Sequence, residues 1–325
     1  MRVVSLFSGI GGFEVGIKNS SLKAEIVFSS EIDKFAQISY LANFPDNNLH
    51  GDITKIDAKD IPDHDLLVAG FPCQAFSIAG KKKGFMDTRG TLFFDIARIL
   101  KEKKPEYFLL ENVKNLISHN NGDTLRVILE TLNELGYSVD YKVINSSQVG
   151  LPQSRERIFF VGKKGKDHNF NFFSSLNFNC TKKYIIDILE NTEDIVYNIA
   201  LYGLKDFLNT LDINQSYSYN LIQLFDIPKS ILNDNLRQRR VYSIYGISPT
   251  ILARSDSPKI YLEAPVRKIR RLTPRECFRC QGFKDDFIDN IINSVSMTQQ
   301  YKQAGNAVSP PVITAIINHL QTFKY

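Results

Sequence analysis

Val3-Val4-Ser5-Leu6-Phe7-Ser8-Gly9-Ile10-Gly11-Gly12-Phe13 is the stretch from which the rest of the chain can be read. Val3–Phe7 has the pattern of a short buried strand. Three glycines follow it. They permit a tight turn and let a ligand approach the backbone closely. An amphipathic stretch then runs on to Asn19. The opening residues could pass for a signal peptide, but the apolar run ends in the glycine turn and no small-residue cleavage pattern follows. Strand, glycine turn and helix together read as the first unit of an α/β sheet.

The same alternation continues outward. Ala24–Ser29 is a second strand and Asp33–Asn43 a helix; Gly51-Asp52-Ile53 follows a third strand position. Asp65–Ala69 and Tyr107–Leu110 are further strands, Thr91–Lys103 and Asp123–Leu135 further helices. Tyr137–Asn145 and Arg157–Val161 read as another strand pair. This order predicts a Rossmann-like, mostly parallel sheet with helices on both faces. Near Lys163 the texture changes. Asp167–Leu236 is rich in Asn, Phe, Tyr and Ile, with neither repeat nor alternation. A basic stretch follows, in which Arg237, Arg239, Arg240, Arg254, Arg267 and Arg271 are opposed mainly by Asp256, Glu263 and Glu276. Thr273-Pro274 has the look of a helix cap and first turn, and Pro310–Phe323 of a terminal helix. The expected organisation is a catalytic and cofactor-binding domain over 1–180, completed by 297–325, with a smaller irregular domain over 181–296.

The 325 residues, 43% hydrophobic, suffice for one large domain or two ordinary ones, and no run approaches the length of a membrane span. The four cysteines, Cys73, Cys180, Cys277 and Cys280, are too scattered for a disulfide framework, which fits a reducing, cytoplasmic setting. Cys277-x-x-Cys280 has no second pair and no nearby histidine, so no metal is expected.

Glu31 ends the second strand, where a carboxylate commonly binds ribose hydroxyls. With the glycine turn and Asp52 it outlines a pocket for an adenosine-containing cofactor. The departure from G-x-G-x-x-G leaves room for one without phosphates; a bare glycine turn is the plainer alternative. Gly70-Phe71-Pro72-Cys73-Gln74 ends the fourth strand, and Lys81-Lys82-Lys83 follows it. A lone cysteine is usually a small core residue, but ligand sites form at the carboxyl ends of parallel strands and positive charge favours a thiolate. Glu111-Asn112 ends the fifth strand at the same edge, and Gln153-Ser154-Arg155-Glu156-Arg157 precedes another. Singly, each of these is a capped strand end or a surface ion pair. Together, a thiolate, a carboxyl group and two arginines suggest covalent catalysis with proton transfer.

In their order along the chain, Phe7–Phe13, Gly70–Ser77, Glu111-Asn112-Val113, Gln153–Arg157, Arg271–Phe283 and Tyr301–Val308 resemble the bacterial DNA cytosine carbon-5 methyltransferase family. The pattern is most similar to its short HhaI-type restriction–modification members, particularly over Phe85–Leu100. The resemblance implies an S-adenosylmethionine-dependent methyltransferase fold with a small target-recognition domain. It implies methyl transfer to carbon 5 of a flipped-out cytosine in a short, specific double-stranded DNA sequence, through a Cys73 adduct at carbon 6, with S-adenosylhomocysteine as product. Glu111 would then hydrogen-bond the ring nitrogen and exocyclic amine, and Arg155 and Arg157 would hold the base and its neighbouring phosphate. The same resemblance sets Phe7 against the adenine, with Gly9, Gly11, Gly12 and Ile32 beside it. Glu31 falls on the ribose, Asp52 and Ile53 on the adenine edge, and Pro72, Leu92 and Asn306 complete the pocket. Because a stacked base is out of reach, the target must swing out; the loop Gln74–Arg89 would close over it, with Gln74, Ser77 and Arg89 on the DNA. Arg237 and Arg240 would grip phosphates or read guanine, and Thr250 would touch the backbone near the flipped nucleotide. The expected partners are duplex DNA and a separately acting restriction endonuclease, and the expected state is a monomer. Ala307, in place of a common serine, and the charge of Arg237-Gln238-Arg239-Arg240 depart from the pattern, so no target sequence carries over. The rival readings are a tRNA methyltransferase of the same family, a non-catalytic DNA-binding relative, and a nicotinamide oxidoreductase.

Overall fold

A computed structural model describes residues 1–72, 92–191, 198–263 and 267–323. They form two units, one of Met1–Ile144, Glu156–Asn177 and Val308–Tyr325, the other of Asn145–Arg155 and Phe178–Ala307. The sequence reading set the edges at 180 and 297 instead.

The first unit is built on β1 (Arg2–Leu6), α1 (Gly12–Lys18), β2 (Glu25–Ser30), α2 (Lys34–Asn43), β3 (Leu49–His50), β4 (Leu66–Gly70), α3 (Leu92–Lys103), β5 (Tyr107–Val113), α4 (Asp123–Glu134), β6 (Tyr137–Asn145) and β7 (Glu156–Lys164). Its sheet runs β3-β2-β1-β4-β5-β7-β6, parallel from β3 to β5 and antiparallel where β7 meets β5. The central strands are buried almost throughout, Val3 to Leu6 and Leu66 to Ala69 alike. A parallel sheet covered on both faces requires such near-continuous apolar runs. Alternate residues face opposite ways. Val4, Leu6, Leu67, Ala69, Phe108 and Leu110 pack with the apolar faces of α3 and α4, through Phe93, Ile96, Leu100, Ile128 and Leu132.

The second unit carries α5 (Leu204–Asn209), β8 (Gln223–Asp226), α6 (Leu236–Arg239), β9 (Arg240–Ser243), β10 (Lys259–Leu262), β11 (Lys268–Arg271), α7 (Pro274–Gln281), α8 (Asp285–Ile292) and α9 (Met297–Asn306). Its sheet runs β11-β10-β9-β8, over a small core of Leu204, Leu208, Ile227, Val241, Tyr261 and Ile269. Thr273 caps α7 as read from the sequence: its side chain accepts from Glu276 N–H and Pro274 stands in the first turn. Glu276 is fully buried and pairs with Arg270 through both oxygens, at 2.6 and 2.7 Å. Cys277 and Cys280 are fully buried on the same helix. Burial pushes both thiols above their usual range, as expected of core residues.

The chain then returns to the first unit as α10 (Pro310–Phe323). Thr314 donates to the Gly16 carbonyl at 2.9 Å, and a β-carbon on Gly16 would stand 2.5 Å from that of Ile313. The glycine is what lets α1 and α10 touch. Among the described residues no helix is long and apolar enough to cross a membrane.

Candidate active site

Strand register gathers the sequence-predicted residues of the first unit at one edge. Leu6 pairs with Ser30, Ser30 with His50, and Leu6 with Ala69; Gly70 pairs with Glu111 one step further on. Phe7, Glu31, Gly51 and Gly70 therefore each leave the sheet at the same end, where open α/β sheets bind ligands.

The turn after β1 is held by its neighbours. Ser8 N–H donates to the Ser30 carbonyl and Gly11 N–H to the Ser8 carbonyl, both at 2.9 Å. Phe7 takes a left-handed backbone, φ +54°, which for an aromatic residue costs about 1 kcal/mol or more. Gly9 is left-handed as well, at φ +57°, and the space where its β-carbon would stand is open. Gly11 and Gly12 are closed in by packing, against Phe44 and Val308.

Glu31 is half-buried and fixed by two backbone donors, Gly9 N–H on Oε2 and Asp33 N–H on Oε1, each at 2.8 Å. These two charge-assisted bonds orient the carboxylate. Next to it in sequence, Ile32 is an exposed apolar side chain, at 67%. Asp52 caps the short turn Ile53–Lys55. The Thr54 hydroxyl, then the Thr54 N–H, hold its carboxyl below the usual range. Ile53 is buried, and Arg98 of α3 donates to the Ile53 and Ile56 carbonyls at 3.0 and 2.9 Å. Arg98 thus braces the Asp52 loop, a part the sequence reading missed because nothing local links positions 53 and 98.

Glu111 lies inside β5 rather than past its end. The sequence reading stopped that strand at Leu110, whereas pairing with β7 continues to Val113 opposite Arg157. The Glu111 side chain is 12% exposed and pairs with Arg157 Nε at 3.0 Å. A β-carbon on Gly70 would stand 3.4 Å from Glu111 Oε2, so the carboxyl group lies over the end of β4. Asn112 is buried; its side-chain N–H donates to the Phe71 carbonyl at 2.9 Å, and its oxygen accepts from Val113 N–H at 2.8 Å. That amide ties the strand end Phe71-Pro72 to β5. Cys73, Gln74, Ser77 and Arg89 lie outside the described residues, and Leu92 opens α3, half-buried.

In the second unit Arg155 is 3% exposed and donates to the carbonyls of Ile251, Gly305 and Ala307 at 3.3, 2.9 and 3.0 Å. Gln153, fully buried, accepts from Ile251 N–H and donates to the Cys280 carbonyl. Gln153 and Arg155 thus hold the backbone of one unit while Arg157 holds Glu111 in the other. Thr250 donates to the Ser154 carbonyl at 2.7 Å. Arg237 is exposed on α6, Arg240 half-buried at the start of β9, and Asn306 exposed at the end of α9. Among the described residues no group of three or more His, Cys, Asp or Glu is arranged to hold a metal.

A parallel sheet with a glycine turn after its first strand, a fixed carboxylate after its second and a second carboxyl group over its fourth is the frame of an S-adenosylmethionine-dependent methyltransferase. The comparisons with known proteins narrow this. The model of the C-5 cytosine-specific DNA methylases matches residues 1–322, and the chain belongs to that family. It is 47% identical to the type II methyltransferase M.SsoII of Shigella sonnei, over 97% of this chain and 78% of that protein. It is 40% identical to M.HhaI of Haemophilus parahaemolyticus, over 100% and 93%. Among solved structures it resembles a DNMT2 of Spodoptera frugiperda, with a TM-score of 0.73 and 20% identity, over 98% and 99% of the two chains. The protein is a DNA cytosine-5 methyltransferase, and its family and fold imply S-adenosylmethionine as the methyl donor.

Proposed function

We propose that the chain methylates a cytosine within one short duplex sequence through a covalent Cys73 adduct, as the protective half of a restriction–modification system. The observation that carries this reading is the Glu111–Arg157 pair over the end of β4, whose last residue, Gly70, precedes Cys73 by three positions. Carbon 5 of cytosine is a poor nucleophile. Addition of the Cys73 thiolate to carbon 6 makes the ring an enamine, reactive at carbon 5. Glu111 bonds the ring nitrogen and exocyclic amine, favouring protonation as the thiolate adds. Arg157 fixes Glu111 and neutralises its neighbourhood. Arg155 acts through the backbone that it holds. Loss of the carbon-5 proton and then of Cys73 restores the ring.

The open space at Gly9, the oriented Glu31 carboxylate and exposed Ile32 support a fit of the sheet edge to the methyl donor. When bound, it supplies an electrophilic methyl group and is left as S-adenosylhomocysteine. Glu31 takes the ribose, Phe7 and Ile32 the adenine faces, and Asp52 and Ile53 its edge; Pro72, Leu92 and Asn306 stay as candidates from the sequence. The unit of Asn145–Arg155 and Phe178–Ala307 reads the target, with Arg237, Arg240 and Thr250 on the DNA, and Gln74, Ser77 and Arg89 from the loop. A monomer working in the cytoplasm beside a separate endonuclease completes the proposal.

Labelled S-adenosylmethionine offered to mixed-sequence duplex DNA and, separately, to total tRNA tests this. DNA labelling lost in Cys73→Ala is the expected result, and sequencing the product gives the target. Labelling of tRNA alone, or DNA labelling retained by the variant, refutes the reading.

A further inference from the structure

Lys259 opens β10 at 8% exposure, and nothing in the catalytic proposal uses it. It lines a cleft in the second unit with Arg237, Arg240, Tyr242, Thr250 and Arg254. The cleft has one acid in its wall, Asp256, and that acid is already engaged. It accepts from the Gln238 amide and pairs with Arg254 Nε at 2.6 Å. Among the described residues the Lys259 amine makes neither hydrogen bond nor ion pair. Burial pushes its pKa down; Asp256 and Asp234 pull it up from a distance, and Arg271 pushes it further down. Arg240 Nε is likewise buried without a partner.

A lysine set in a cleft with Arg237, Arg240 and Arg254, whose one acid is taken up by Arg254 and Gln238, faces an excess of positive charge that a bound anion would offset. Here Lys259 and Arg240 share one cleft with Arg237 at its exposed side. A neutral base edge offers acceptors but no charge to offset the cations of the cleft. A phosphodiester oxygen offers both. We propose that this cleft seats one backbone phosphate of the DNA duplex, with Lys259 as its charged floor and Arg240 beside it. The inference deepens the target-recognition reading of this unit and rests on it. The seat would position the duplex and carry no sequence information itself.

The test is duplex affinity, by fluorescence anisotropy with S-adenosylhomocysteine present, across about 50 to 200 mM salt. Wild type, Lys259→Met and Lys259→Arg would be compared on one mixed-sequence duplex. Lys259→Met should lower the slope of log affinity against log salt by about one. Lys259→Arg should keep the wild-type slope. In the free protein Lys259→Met should melt no lower than wild type, since the amine has no partner to lose. Arg240→Met, at a half-buried site of the same cleft, carries the same slope expectation. An unchanged slope overturns the seat, as does a methylation pattern relaxed at one base position, which would make Lys259 a reader of bases. A markedly lower melting point for Lys259→Met, showing that the fold needs the amine, overturns it too. Wild-type protein with no affinity for duplex would overturn the target-recognition reading itself, and the seat with it.

Discussion

Glu14 lies buried in the first turn of α1, directly after the glycine turn, with the Tyr40 hydroxyl donating to it at 3.2 Å. Burial pushes its carboxyl from 4.5 up to about 6, against the smaller pull of hydrogen bonds from Ser5, its own backbone, Tyr40 and Ser8. An acid whose folded pKa is raised binds its proton more tightly when folded. Its contribution is therefore fully present below pH 4.5 and lost as pH rises through about 6. The loss is on the order of 2 kcal/mol. Glu14→Gln should accordingly melt higher than wild type at neutral pH, with the gap closing in acid; thermal melts across that window decide, and a gap independent of pH sinks the argument. Glu111 answers to chemistry instead. Glu111→Gln keeps the shape beside Arg157 and should lose about 10²–10⁴ in turnover with little change in melting temperature. Radiolabel transfer beside a melt checks both halves. Residues of this kind were legible in the sequence where a motif surrounds them, as with Glu111 and Glu31. Glu14 and Lys259 were not, because what marks them is burial, and burial is a property of the fold.

At the scale of elements, the working edge depends on how β4 and β5 end. Asn112 ties Phe71 to β5 by one amide, and its loss leaves the buried end of β4 without that donor. Asn112→Ala should cost about 1–3 kcal/mol in a urea melt. It should also depress turnover more than DNA affinity, since Cys73 follows Phe71 by two residues. Equal stability and turnover in the variant would show that the tie is idle. The strands and helices of the first half were legible because their apolar spacing is set locally. The length of β5 was not, since its last two residues, Asn112 and Val113, pair with antiparallel β7, far along the chain. The four-stranded sheet of the second unit stayed hidden for a related reason: its strands are four residues each and separated by irregular loops. The cap of α7 was read correctly because Thr273, Pro274 and Glu276 carry it within one turn.

At the scale of the molecule, the first unit is not contiguous. Its sheet is built before residue 177 but its helix α10 comes from the far end of the chain. Gly16 has no β-carbon because Ile313 and the Pro310 carbonyl occupy that space. Gly16→Val should therefore prevent folding. Removing residues 309–325 should leave a chain without cooperative melting by circular dichroism; a sharp transition in the shortened chain would refute this. The return of the chain to its first unit was legible from the terminal apolar helix Pro310–Phe323, although the reading placed its start at 297 and the structure at Val308. The excursion at 145–155 was not, since so short a detour leaves no trace in composition. That interleaving also sets a schedule on the ribosome. With elongation at about 5–20 residues per second, the sheet waits roughly ten to thirty seconds for its last helix. Until then α1 lacks the helix that packs on it, an interval in which chaperones can act. If the shortened chain melts without cooperativity as expected, a half-length copy brings no working enzyme to the chromosome, and only whole molecules act there.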